Sequence, residues 1–241
     1  MTQEIKTINV GGVNCYLVKA GDGYVLIDTG MSTKRADLDK ELASAGCKPG
    51  NLKLIILTHG DIDHTDNAAY LREKYTAKIA MHAADSGMVE RGDMSWNRKA
   101  KPDKISFLGR IIMTISRLVL LFGKPAKFDT FKPDIYLEDG QDLSGYGFDA
   151  KVLHLPGHSK GSIGILTTGG DPSTPSAGLA LFCGDLLMVM NKPTLHFLID
   201  DMAAAKASLE KLKGLEIHTV YPGHFGRTFP MELFTKKSAK N

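Results

Sequence analysis

Residues 57–67 read LTHGDIDHTDN. His59, Asp61, Asp63 and His64 alternate there with small or apolar residues, directly after the apolar run KLIIL at 53–57. A continuous apolar run of strand length predicts a strand buried on both faces. The four polar residues then occupy the loop at its C-terminal end, where a rigid scaffold presents reactive groups. Imidazole and carboxylate donors together suit zinc, iron or manganese.

The same residue types recur further along. His158 lies in LPGHSKGS (155–162), Asp185 in FCGDLL (182–187) and His224 in YPGHFG (221–226). Any one of them reads as an ordinary turn residue. Taken as an ordered series at the ends of predicted strands, they predict a metal site. No cysteine belongs to the set, which favours an open catalytic site over a closed structural one. Cys15, Cys47 and Cys183 are far apart and odd in number, with no CxxC, so a disulfide framework is not expected. Cys183 reads as a packed core residue.

Composition narrows the classes. The chain has 241 residues and a formal net charge of +3, too small an excess to point to nucleic acid. The opening MTQEIKTINVGG has no apolar h-region, so no secretory signal is read there. Together with the cysteine usage, this leads us to expect a reducing, cytoplasmic setting.

Periodicity gives the elements. Residues 7–30 read as short strands, with AGDG (20–23) as a hairpin turn. A helix is expected over about 34–46, and another over DNAAYLREKY (66–75), capped by Asp66 or Asn67. AKIAMH (77–82) reads as a strand. In the second half DIYLEDG, FDAKVLHLPGH, GSIGILTT, GLALFCGD and IHTVYPGHFG read as strands, and DDMAAAKASLEKLKGL (200–215) as a helix capped by Asp200 or Asp201. Two β-then-α halves predict two sheets packed face to face with helices outside, in one domain over 1–241. Residues of about 86–131 fit neither half and read as an insertion.

The ordered set resembles the metallo-β-lactamase-fold hydrolases over nearly the whole chain. HGDIDH matches their H-x-H-x-D-H motif except at its second ligand, and PGHSKGS, CGDLL and PGHFG match their later turns. The early LIDTG (26–30) is similar to the family's Asp-Thr-Gly turn. The resemblance implies an α+β fold, a four-layer αββα sandwich, and a pair of divalent ions, zinc first. His59, His158 and Asp61 would bind one ion. Asp63, His64 and His224 would bind the other, Asp185 would bridge them, and Asp28 would support the site from beneath. A hydroxide held between the ions would attack a carbonyl or phosphoryl centre, with Asp63 accepting or relaying a proton.

Asp61 stands where the family motif has histidine. A third carboxylate lowers the net positive charge of the centre and, as a harder donor, shifts preference toward iron or manganese. Flavodiiron members of the family carry Glu at this position and bind iron. Asp is also shorter than His, so ligation through water is a competing expectation.

Other readings compete. GHSKG (157–161) matches G-x-S-x-G, and Ser159, Asp185 and His224 follow the triad order of the α/β-hydrolases. A strand-like segment follows it, where that motif requires a helix. A non-catalytic metal-binding protein, a phosphodiesterase and an iron-dependent oxidoreductase are further alternatives. Within the hydrolase reading, a small-molecule lactone, thioester or other ester is expected, and no nucleic acid. The insertion carries the basic stretch WNRKAKPDK (96–104) and a predicted helix over 106–123 with one polar stripe of Arg110, Thr114 and Arg117. It reads first as a lid favouring an apolar acyl substrate, then as a homodimer contact, then as a membrane-surface helix. His82 is placed near the site, His154 is taken as a structural neighbour of His158, and His196 and His218 lie outside any motif.

Overall fold

Gly11 and Gly12, with φ of 69° and 93°, turn β1 (Ile5–Val10) back onto β2 (Val13–Ala20), pairing Val10 with Val13. This computed structural model describes residues 4–107, 109–111, 114, 128–168 and 178–234. β3 (Gly23–Ile27) completes the antiparallel run. Then come α1 (Arg35–Ser44), β4 (Leu52–Ile56), a short α2 (Ile62–Thr65), α3 (Ala68–Tyr75), β5 (Lys78–His82), α4 (Ala83–Arg91), β6 (Lys104–Ile105) and β7 (Ile135–Leu137). The first sheet has the order β1-β2-β3-β4-β5-β7, and its last four strands run parallel.

The second half supplies β8 (Ala150–His154), β9 (Ile163–Thr168), β10 (Leu179–Gly184), β11 (Leu187–Val189), β12 (Pro193–Leu195), β13 (Leu198–Ile199), α5 (Met202–Lys213), β14 (Ile217–Pro222) and β15 (Phe229–Pro230). Its sheet has the order β15-β14-β10-β9-β8, with β10 and β14 parallel.

Strand alternation builds the layers. Val25 and Ile27 of β3 and Leu54 and Ile56 of β4 meet Ala180 and Phe182 of β10 between the sheets. Leu26 points the other way, with Ile55, into a core closed by Leu38 and Leu42 of α1 and Leu71 of α3. Leu181 and Cys183 of β10 face outward against Ala205 and Leu212 of α5. The result is helix, sheet, sheet, helix, the αββα sandwich expected from sequence. Cys183 is buried there and its thiol is pushed up to about 12, chiefly by burial.

At the starts of α3 and α5 one of the two expected residues holds the cap position. Asn67 is the N-cap of α3, though its side chain makes no cap hydrogen bond. The Asn67 amide donates instead to the carbonyls of Thr29 and Gly30, and Asp66 accepts from the Ser32 N–H. Both tie the motif loop to the turn after β3. The cap on α5 is Asp201, which accepts from the Ala204 N–H at 2.9 Å, whereas Asp200 accepts from the Lys99 N–H.

Much of the basic stretch at 96–104 makes contacts within the protein. Arg91 stacks over Trp96, Lys99 pairs with Asp103 and Asp201, and Lys104 donates to the carbonyls of Leu195 and His196. β6 pairs with β13, which stitches the insertion to the second half. The helix expected over 106–123 lies largely outside the described residues. Among the described residues no helix is long and apolar enough to cross a membrane.

Phe182 sits between the sheets, 1% exposed and packed against Tyr16 and Tyr221. Phe182→Ala is therefore expected to lower unfolding free energy by about 3–5 kcal/mol. Urea denaturation followed by circular dichroism reads this, and a loss below about 1 kcal/mol would contradict the packing described.

Candidate metal centre

The carboxyl ends of β3, β4, β8, β10 and β14 converge on one buried point. Asp28 ends β3 in the left-handed region, with φ of 59°, a conformation Asp tolerates better than most residues. There its Oδ1 accepts from the Thr58 N–H at 2.8 Å. Its Oδ2 accepts from the Thr58 hydroxyl at 2.8 Å and from His64 Nδ1 at 2.9 Å. His59 Nδ1 in turn bonds Thr58 Oγ1 at 3.0 Å. One carboxylate thus orients two histidines of the first motif with their Nε2 atoms inward, the outer-shell arrangement typical of metal-binding histidines. Asp28, expected as support from beneath, is thus bonded to Thr58 and His64.

Asp185 lies at the centre. Its Oδ2 is 3.1 Å from His224 Nε2, 3.8 Å from His158 Nε2 and 3.9 Å from His59 Nε2. Its Oδ1 is 3.5 Å from His64 Nε2. Asp63 Oδ2 lies 3.6 Å from His224 Nε2 and 3.9 Å from His64 Nε2. A Cβ on Gly223 would collide with Asp185 Oδ1 and His64, which explains the glycine before His224. All seven residues expected at the site therefore meet there, and they fall into groups with metal-ligand spacing: His59, Asp61 and His158; Asp63, His64 and His224; and His59, His64 and Asp185.

Asp61 takes part, with a partner that sequence reading missed. Its Oδ2 is 2.9 Å from His158 Nε2 and 3.5 Å from His59 Nε2. Its Oδ1 accepts from Arg98 of the insertion at 2.6 Å. Burial pushes the Asp61 carboxyl up, but Arg98, His158 and His59 outweigh that and hold it well below the usual carboxylate range. Arg98 also returns the unit of positive charge that the third carboxylate removes. The expectation of a less positive centre omitted it.

Two further residues have no motif to betray them. Asp85 on α4 is buried and accepts from the Gly60 and Gly161 N–H groups and from the Ser159 hydroxyl at 2.6 Å, clamping the first and second motif loops together. Ser159 also shares a hydrogen bond with Ser162 and is followed by strand β9. Among the described residues its hydroxyl has no histidine partner, so the serine-hydrolase reading is set aside. The second is His196, read as lying outside any motif. It is 2% exposed and its Nε2 is 3.2 Å from Asp185 Oδ2. Its pKa is lowered to about 3, mainly by burial and against the pull of Asp185. His82 stacks on His154 at 4.1 Å and accepts from the Ala84 N–H, a structural pair, and His218 is exposed on β14.

The donor set fits divalent metal. His59 Nε2 and Asp185 Oδ1 are buried without any hydrogen-bond partner, an arrangement that is costly unless a cation satisfies it.

A mixed α/β sandwich with a histidine–aspartate centre at its strand ends defines a class of metal-binding folds. Within it this chain belongs to the metallo-β-lactamase superfamily, whose family model matches residues 8–224. Hydroxyacylglutathione hydrolase GloC of Haemophilus influenzae is 32% identical over 117 residues, covering 48% of this chain and 44% of that protein. The chain thus aligns with less than half of that relative. The acyl-coenzyme A thioesterase MBLAC2 of Bos taurus is 23% identical, covering 92% of this chain and 76% of that one. The subclass B3 metallo-β-lactamase BJP-1 of Bradyrhizobium japonicum superposes with a TM-score of 0.67 at 21% identity, over 92% of this chain and 75% of that one, a likeness of fold.

Burial opposes the charged forms of His64, His158 and His224, yet carboxylates outweigh it. Asp185 leads for His64 and His224 and the bond to Asp61 leads for His158, so all three pKa values rise. Protons and metal thus compete for these rings. Metal affinity is therefore expected to fall as pH drops, and uptake near neutral pH to release protons. Calorimetry in buffers of different ionisation enthalpy counts them, and proton-independent binding would contradict this.

Proposed function

We propose that this chain is a metal-dependent hydrolase of small acyl substrates, thioesters foremost. The observation that carries the reading is the pair of buried, unpartnered atoms, His59 Nε2 and Asp185 Oδ1, inside a ring of histidine and aspartate donors. His59, His158 and Asp61 would hold one divalent ion, Asp63, His64 and His224 a second, and Asp185 would lie between them. Zinc is the first expectation. Arg98 removes the charge argument for iron or manganese, whereas the extra oxygen donor still favours them. When bound, the metal pair would supply Lewis acidity toward the substrate carbonyl and an activated water at neutral pH.

The chain's own residues divide the remaining work. Asp63 has the most open carboxylate of the cluster, with its side chain 32% exposed against 20% for Asp61 and 4% for Asp185. It is placed to take a proton and pass it to solvent. Arg98 holds Asp61 by one oxygen and leaves the other facing His59 and His158. Phe197 packs on His196 at 4.0 Å, and Phe225 lies beside His224 and is 41% exposed. These rings give the approach an apolar surface that suits an acyl group. Two relatives named for acyl-glutathione and acyl-coenzyme A hydrolysis support a thioester. Arg98, Lys99 and Lys104 are engaged within the protein, which argues against a phosphodiester as the first choice.

The test is a panel of acyl-glutathione and acyl-coenzyme A thioesters, acyl lactones and phosphodiesters, before and after chelation. Thioester turnover is expected, lost on metal removal and restored by added zinc. Asp63→Asn is expected to cut kcat by about 10²–10⁴-fold. Turnover that survives chelation, or that is confined to phosphodiesters, would overturn the reading. Asp61→Ala is expected to weaken one of the two metals in elemental analysis. Unchanged content and preference would rule out direct ligation by Asp61.

A further inference from the structure

His196 lies 11 residues beyond Asp185, in PTLHFLIDD (193–201), with no turn motif around it. The fold nonetheless places it like the four motif histidines. Each of those bonds an oxygen through Nδ1 and aims Nε2 at the cluster: His59 to Thr58, His64 to Asp28, His158 to the Leu198 carbonyl and His224 to the Gly12 carbonyl. His196 Nδ1 meets the same Leu198 carbonyl at 3.3 Å, while the Leu198 N–H is slightly farther, at 3.4 Å. A carbonyl only accepts, and its two lone pairs can serve both rings. On that assignment His196 Nε2 is left without a proton and turned inward, while His158 Nε2 faces Asp61 Oδ2 at 2.9 Å.

The Nε2 side shows the same need as His59. His196 Nε2 is fully buried and has no hydrogen-bond partner. Asp185 Oδ2 is close, at 3.2 Å, yet not aligned as an acceptor. The ring stands edge-on to His158 at 4.9 Å, and His158, Asp185 and His196 form a group with metal-ligand spacing. The residue is fixed from several directions: its N–H bonds the Leu186 carbonyl, its own carbonyl accepts from Lys104, and β13 pairs with β6 of the insertion.

We propose that His196 is a fifth imidazole ligand of the metal centre, on the His158 side of Asp185, and supplies the nitrogen donor that the first motif lacks at Asp61. This inference rests on the metal-centre reading above. A short carboxylate held on one side by Arg98 replaces the usual histidine, and an imidazole from a different strand corner replaces what that histidine gave. The motif is altered, but the nitrogen count is kept.

The test compares wild type, His196→Ala, His196→Gln and the surface control His218→Ala. Each is stripped of metal and titrated with Zn²⁺ and Co²⁺ against a competing chelator. The readouts are stoichiometry, affinity, the Co²⁺ ligand-field spectrum, and melting temperature with and without metal. Both His196 variants are expected to weaken one ion by about 10–100-fold or more, to shift the Co²⁺ spectrum, and to lose part of the metal-induced rise in melting temperature. The second ion and the His218→Ala protein should be unaffected. The Gln variant keeps the side chain's bulk, and the metal-free melting temperature separates ligand loss from unfolding. Two ions bound with wild-type affinity and spectrum in both variants would overturn the proposal and leave His196 facing substrate. Wild type that takes up no metal would instead overturn the metal-centre reading itself.

Discussion

A single buried carboxylate organises this protein. Asp185 Oδ2 has four imidazole Nε2 atoms within 3.9 Å, those of His59, His158, His196 and His224, and a fifth, of His64, faces its other oxygen at 3.5 Å. These side chains come from the ends of strands in both sheets, so the two halves must pack in register for the cluster to exist. The apolar layer between the sheets, with Phe182 and Ile56 near its middle, provides that registration. Hydrophobic burial supplies the free energy, and the loops beyond the strands hold polar groups that could not gather unaided.

Gathering carboxylates and imidazoles in a dry place has a cost, and the structure meets it by pairing. Asp28 is satisfied by Thr58 and His64, Asp85 by two backbone N–H groups and Ser159, and Asp61 by Arg98 and His158. Among the described residues, five buried side-chain atoms have no hydrogen-bond partner: Asp39 Oδ1 and Arg98 Nε, whose side chains are ion-paired with Lys74 and Asp61, and the three cluster atoms His59 Nε2, His196 Nε2 and Asp185 Oδ1. Three bare donor atoms gathered within one ring of histidines and aspartates suit a cation there.

Arg98 changes the meaning of Asp61. Taken alone, a third carboxylate argues for a weaker Lewis acid at the centre. With a guanidinium at 2.6 Å, the charge balance returns to that of a two-carboxylate loop, and what remains different is donor type and reach. The insertion contributes that guanidinium, so a segment first read as a lid or surface helix also belongs to the electrostatics of the centre. The part of it that would form such a lid lies largely outside the described residues.

Much of the fold and the core of the site were legible in the residues alone. Apolar runs of strand length, followed by Thr-His, Gly-His or Gly-Asp, marked which side chains sit at strand ends, and their order marked the family. The seven motif residues came from that local pattern, because turn chemistry and strand periodicity are written in neighbouring positions. Arg98, Asp85 and His196 were not legible, since none has a local signature. Arg98 is one cation in a basic stretch, Asp85 one carboxylate at the start of a helix, and His196 one imidazole between short strands. What joins them to the centre is contact across 37 positions for Arg98 and Asp61, and 74 for Ser159 and Asp85. Such contacts are set by how sheets and insertion pack, so tertiary structure alone decided which charge balances Asp61, which residue locks the motif loops, and which further histidine faces Asp185.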